Sequence, residues 1–157
     1  MTAPRCAGKA LELYEQIGFV AGMAAALNNL AWYQTKLLRH TEAIAHCERA
    51  LALEIEDREA HAAILDTLGF AYRCGGATGR AVDCHERSVN LYRDLGLHRS
   101  YAESLDRLAE VRLVLGELEP ARAAWKQALV ALEAVGNVDS AELRRRIHAK
   151  LTDAGLD

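Results

Sequence analysis

No stretch of the 157-residue chain stays apolar and uncharged for long enough to span a bilayer. Residues 1–9 lack the continuous apolar segment of a secretory signal, so a cytoplasmic location is expected and no membrane partner. Cys6, Cys47, Cys74 and Cys84 show no paired spacing, which argues against a disulfide framework and suits free thiols in a reducing compartment. There is no glycine-rich phosphate loop, no nucleophile elbow and no His-Glu-x-x-His pair, and the six histidines are scattered. With nothing local to mark a reaction centre, the chain reads as a non-enzyme with no catalytic residues and no cofactor. A net charge of −3 lacks the basic footprint of a duplex binder. The one basic run, Arg144-Arg145-Arg146, reads as a solvated helix face, so no direct nucleic-acid contact is expected.

What is present is repetition. Leu30-Ala31, Leu68-Gly69 and Leu108-Ala109 open three copies of one template, Leu68 lying 38 residues after Leu30 and Leu108 40 after Leu68. Thirteen residues beyond each leucine stands a small residue (Ala43, Ala81, Ala121), and seventeen beyond it a bulkier one (Cys47, His85, Trp125). A partial fourth copy, Ala10-Leu11 to Tyr14 and Gly18, matches Leu91-Tyr92 to Gly96 and Leu132 to Gly136. Periods of this length belong to stacked helix pairs. Within each copy the apolar residues recur at three-four spacing, as in Leu27, Leu30, Ala31 and in Ala43, Ile44, Cys47, Ala50, Leu51, which predicts two amphipathic helices per repeat.

Turn residues place the breaks. Gly75-Gly76 and Gly116 stop the first helices of the second and third repeats, and Gly96 and Gly136 end the second helices. Thr41 and Thr78 are expected as N-caps, and Pro120 suits an early helical position. The first repeat has Leu38-Arg39-His40 in its inner turn and Arg58 where the other repeats have glycine, so its boundaries are the least determined. Asp139-Ser140-Ala141-Glu142 reads as a capping box before a helix with Leu143, Ile147 and Leu151 on a narrow apolar stripe, a terminal cap.

These segments resemble the tetratricopeptide repeat family, in the long-period variety typified by kinesin light chain and several bacterial regulators. The resemblance is carried by Leu27-Asn28-Asn29-Leu30-Ala31, Leu65-Asp66-Thr67-Leu68-Gly69 with Tyr72, and Leu105-Asp106-Arg107-Leu108-Ala109, together with Cys47-Glu48-Arg49-Ala50-Leu51, Cys84-His85-Glu86-Arg87-Ser88-Val89 and Trp125-Lys126-Gln127-Ala128-Leu129. Gln34 and Arg112 depart from it where the motif has the tyrosine supplied by Tyr72. The resemblance implies an all-α fold, a right-handed α-solenoid of stacked antiparallel helix pairs. The expected single domain comprises a half repeat at 7–17, repeats at 20–57, 58–96 and 97–137, and a capping helix at 139–154. The wording of the repeats is also similar to the carboxy-terminal sensor arrays of actinobacterial antibiotic-pathway transcription regulators. That implies a bacterial regulatory setting, but no DNA-binding or nucleotide-hydrolysing module is present to be carried over.

The family's first helices line a concave groove. Carried over, its groove positions are Asn28, Trp32, Thr35 and Lys36; Asp66, Phe70 and Arg73; and Asp106, Glu110 and Leu113. Asn28, Asp66 and Asp106 would form a polar ladder beside Trp32 and Phe70, suited to a protein or peptide with an apolar anchor and a basic residue. Both aromatics could instead pack between helices. The carboxylate clamp of chaperone-binding relatives wants cations where Asp66, Asp106 and Glu110 stand, so an acidic carboxy-terminal tail is disfavoured.

Other readings stay open. One is a small-molecule sensor, or a biosynthetic accessory protein or enzyme, with a pocket on the concave face. Another is a structural homodimer through the half repeat, whose missing first helix would bare a flank around Leu11 and Tyr14 if the chain is not a piece of something larger. His46-Cys47 and Cys84-His85 occupy equal offsets on successive second helices, but Trp125 shares the slot of Cys47 and His85, which favours packing over a metal site. Cys74, beside the Gly75-Gly76 turn, is the thiol expected to be exposed.

Overall fold

Helices follow where the three-four apolar spacing runs and stop where the backbone is released. The computed structural model describes residues 3–135 and 138–156. Among the described residues it has no strand and eight helices: α1 (Ala3–Ile17), α2 (Val20–Lys36), α3 (His40–Leu51), α4 (Arg58–Cys74), α5 (Thr78–Asp94), α6 (His98–Val114), α7 (Leu118–Glu133) and α8 (Val138–Asp153). The chain divides into two compact units, Met1–Cys84 and His85–Asp157, with the division inside α5. It does not coincide with the repeat boundaries read from the sequence.

In the first unit α1 packs on α2, α2 on α3, and α4 on both α2 and α3. Ala31, Ala43, Ala50 and Ala71 are fully buried there, small enough to bring helix axes close, while Leu27, Ile64 and Leu65 fill the space between. In the second unit α6 packs on α7 and α8 closes against both. Its core is Leu105, Val111, Trp125, Leu132, Ile147 and Leu151. Burying each such large side chain contributes about 1.5–3 kcal/mol.

The helix ends share one hydrogen-bonded design. Gly76 at φ +84° lets the Ala77 N–H reach back to the Tyr72 carbonyl at 2.9 Å, and Gly116 at φ +77° does the same for Glu117 and Arg112 at 2.9 Å. In the α2–α3 turn Leu38 takes that left-handed position at φ 62°, and the Arg39 N–H still reaches the Gln34 carbonyl at 2.9 Å. A leucine there costs about 1–2 kcal/mol of backbone strain.

Two expected N-caps are corrected. Thr41 lies inside α3, whose N-cap is Arg39, and Thr78 is already helical in α5. The return hydrogen bonds of the preceding turns end on Arg39 and Ala77, whose own carbonyls accept the first bonds of the next helices, from Ala43 and Ala81, both at 3.1 Å. No residue is left over to serve as a threonine cap. A side-chain cap does form at Asp57, whose carboxylate accepts from the Glu59 and Ala60 N–H groups at 2.9 and 3.0 Å and opens α4. Pro120 falls in the first turn of α7. Gly136 and the side chain of Asp139 lie outside the described residues.

Candidate functional site

In the first unit α2 and α4 run side by side, and the residues that follow their leading leucines meet. The rings of Trp32 and Phe70 are 5.1 Å apart, tilted by 37°. Lys36, one turn after Trp32, places its Nζ 4.9 Å from the indole centroid. Arg73, three residues after Phe70, places its guanidinium 5.6 Å from the phenyl centroid. Each cation over a ring contributes about 0.5–1 kcal/mol at an exposed site. Both aromatics and Arg73 are half-buried and Lys36 is exposed, so this is a surface platform of two rings flanked by two positive charges.

One turn before Trp32, the Oδ1 of Asn28 is buried with no hydrogen-bond partner among the described residues. An acceptor left in that state costs about 1–3 kcal/mol. Asp66 is 7 % exposed and engaged within the chain. Thr35 is 2 % exposed, and its hydroxyl donates to the Ala31 carbonyl of its own helix at 2.9 Å. It is therefore turned into the packing, because it lies on the flank of the Asn28–Trp32 stripe that borders the buried Ala24 and Ala31.

The second unit treats its template residues differently. Asp106 is 3 % exposed and accepts from Trp125 Nε1 at 2.8 Å, from Lys150 Nζ at 2.7 Å on both oxygens, and from Arg146 at 3.3 Å. Lys150 also donates to Glu110 at 2.5 Å. Two carboxylates of α6 are thus matched by two cations of α8. The expected acidic rung at Asp106 and Glu110 is filled from within the chain and does not stand ready for a partner's basic residue. Leu113 is half-buried.

The residues expected at an assembly surface are also used internally. Leu11 is 8 % exposed under α2, and Tyr14 meets Phe19 edge-on at 5.5 Å. Gly22 lets these rings close over α2, since a Cβ there would lie 2.5 Å from Phe19 and 2.7 Å from Tyr14. The exposed apolar residues nearby are Leu13, Ile17, Phe19 and Val20.

The seventeenth-offset residues Cys47, His85 and Trp125 are all buried, and no group of three or more metal-ligating side chains occurs among the described residues. His46 instead donates from Nδ1 to the Glu42 carbonyl of its own helix at 2.8 Å. Burial, with Cys84 and Glu48 close by, pushes the Cys47 thiol up to about 12. Cys74 and Cys6 are exposed. Among the described residues no helix is long and apolar enough to cross a membrane.

The sequence alone did not reveal the cations that satisfy Asp106. A signal was there: Arg146 and Lys150 are four apart on α8, as Asp106 and Glu110 are on α6. A cavity beside Tyr92, Tyr101 and Val130 in the second unit also went unread.

Residues 23–94, from α2 through α5, match the tetratricopeptide repeat family model. Among solved structures the chain is similar to BtubC (BKLC) from P. vanneervenii, at 18% identity and a TM-score of 0.80 over 97% of this chain and 64% of that one. It thus spans about 64% of that relative's length. It is also similar to the nearly identical TPR-like repeats of a proposed kinesin light chain from Podosopora anserina, at 18% identity and a TM-score of 0.59, covering 100% of both chains. No curated protein matches. At such identity the likeness shows the fold, and it agrees with the template, the helix order and the glycine-closed turns: the chain carries tetratricopeptide repeats at residues 23–94 and shares the tetratricopeptide fold.

Proposed function

We propose that the chain is a protein- or peptide-binding module, serving as a regulator or scaffold, whose contact surface in the first unit is the Trp32–Phe70 platform. The observation that carries this reading is the paired aromatic surface with Lys36 at 4.9 Å and Arg73 at 5.6 Å from the rings. Large rings left half-exposed beside cations are the composition of binding hot spots.

The chemistry of the partner changes with the structure. A basic anchor residue was expected to meet Asp66 and Asp106, but both are buried and engaged within the chain. The exposed charge at the platform is that of Lys36, with Arg73 half-buried and engaged within the chain. The fitting segment therefore has an apolar or aromatic anchor next to an aspartate or glutamate.

Panning a random twelve-residue peptide library on the protein, with Trp32→Ala/Phe70→Ala as counter-screen, tests this. Enriched peptides carrying an apolar-acidic pair and lost on the double variant are the expected result. Peptides that bind the variant as well as the parent would overturn the proposal.

A second reading, self-association through α1, rests on Leu13 and Ile17, which are 60% and 72% exposed, and no longer on Leu11. A concentration-dependent mass by light scattering that Ile17→Glu abolishes is its expected signature; a monomer at every concentration would remove it.

A further inference from the structure

The second unit contains a cavity of about 560 Å³ framed by the end of α5, the start of α6 and one face of α7. No lining residue belongs to α2 or α4. Its walls are Tyr92, Tyr101, Val130, Ala131 and Ala134. Val130 stands in the last turn of α7 with 67% of its surface exposed, where a surface helix would ordinarily show a polar residue. The hollow is open to solvent, with Arg93, His98, Lys126 and Val130 exposed at its edge, and its volume is in the size range of small-ligand clefts.

Charge is distributed unevenly around this apolar hollow. The ionisable side chains that line it besides the tyrosines are Arg93, His98 and Lys126, with no carboxylate among them. Arg93 pairs with the adjacent Asp94 at 3.2 Å, both side chains about half exposed, an arrangement that contributes little and yields readily to a better acceptor. Arg93 and Tyr101 also line a second, more polar cavity of about 250 Å³. Arg93 therefore borders both an apolar and a polar space.

We infer that this cavity is a binding site for a small amphipathic carboxylic acid, its apolar body against Tyr92, Tyr101 and Val130 and its carboxylate at Arg93 and Lys126. An uncharged apolar molecule would gain the burial but leave the cations unused. An amine of the same length would meet Arg93 and Lys126 as like charges. The inference does not depend on the peptide-binding reading, since the two use different helices.

The test is a titration of the ¹⁵N-labelled chain with decanoate, decanol and decylamine, each below its micelle-forming concentration. Decanoate is expected to shift the amide signals of Gly96, Tyr101, Val130 and Ala134, and to bind at least tenfold more tightly than decanol or decylamine. Lys126→Glu should remove that preference while decanol binding stays unchanged. Val130→Glu, at an exposed position that leaves folding intact, should abolish all binding at these signals. Shifts scattered over other helices, equal affinity for the three probes, or retention of decanoate by Val130→Glu would each overturn the inference.

Discussion

The two units carry the same template, and one buried ionisable group in each shows a different solution. In the first, Cys47 is buried near Cys84 and Glu48, and its thiol is pushed up to about 12. In the second, Asp106 is buried and surrounded by Trp125, Lys150 and Arg146. The charges displayed on the first-helix surface differ accordingly. Lys36 and Arg73 lie over half-buried rings in the first unit, while the second unit's carboxylates meet the cations of α8. An acidic residue at a groove position therefore does not by itself make a contact surface; what packs over it decides.

The sharpest way to break this contrast is to remove the carboxylate. Asp106→Ala leaves the buried indole N–H of Trp125 without its acceptor and Lys150 with Glu110 alone, and should lower stability in urea by about 1–3 kcal/mol. Asp106→Asn, which keeps an acceptor for the indole, should cost less. Equal stability of Asp106→Ala and parent would mean that α8 does not depend on this cluster.

Alkaline titration probes the neutral side of the comparison. Because folding raises the Cys47 thiol from its ordinary 9.0 to about 12, the stability it contributes is complete below pH 9 and is lost as pH rises through about 12. Three pH units correspond to at most about 4 kcal/mol. The parent should therefore lose stability between pH 9 and 12 more steeply than Cys47→Ala. At pH 8, Ellman's reagent should modify Cys6 and Cys74 quickly and Cys47 only on unfolding; parallel pH slopes or a fast third thiol would contradict this.

At the platform the effect should appear in binding more than in folding. Trp32→Ala removes an aromatic pair and a cation–π contact, for about 1–2 kcal/mol of stability, while an enriched peptide should lose at least tenfold in affinity. The smallest effect concerns turns. Leu38→Gly gives the α2–α3 turn the residue that Gly116 supplies to the α6–α7 turn, and since Leu38 is 79% exposed little packing is lost. A gain of about 1 kcal/mol in chemical denaturation is expected; a loss would show that the leucine side chain contributes more than the strain it imposes.

The helix pairs were legible because two signals coincide: apolar residues three and four apart, and glycines at the left-handed turn positions 76, 96 and 116. Where that punctuation is missing, legibility fell. Leu38 gives no sign in sequence of its left-handed backbone, and α3 stops at Leu51, well short of the length of α5, with Glu54 at φ 49° in the linker and Asp57 restarting the chain. At the site, Trp32, Lys36, Phe70 and Arg73 could be chosen because they fall at fixed offsets on adjacent first helices. Thr35 shares the helix face of Asn28, but it sits on the edge toward the buried Ala24 and Ala31, which spacing alone does not distinguish from the displayed edge. The fate of Asp106 was hidden for a different reason: its partners are 19, 40 and 44 residues away, beyond any local pattern.

The most direct test of the central claim is calorimetric titration of one enriched apolar-acidic peptide into the parent, Trp32→Ala/Phe70→Ala, and Asp106→Asn at matched, verified helicity. Binding should be lost in the aromatic variant and retained within a few-fold in Asp106→Asn, as expected if the first unit carries the contact surface. Full affinity in the aromatic variant, or its loss only in Asp106→Asn, would contradict the account.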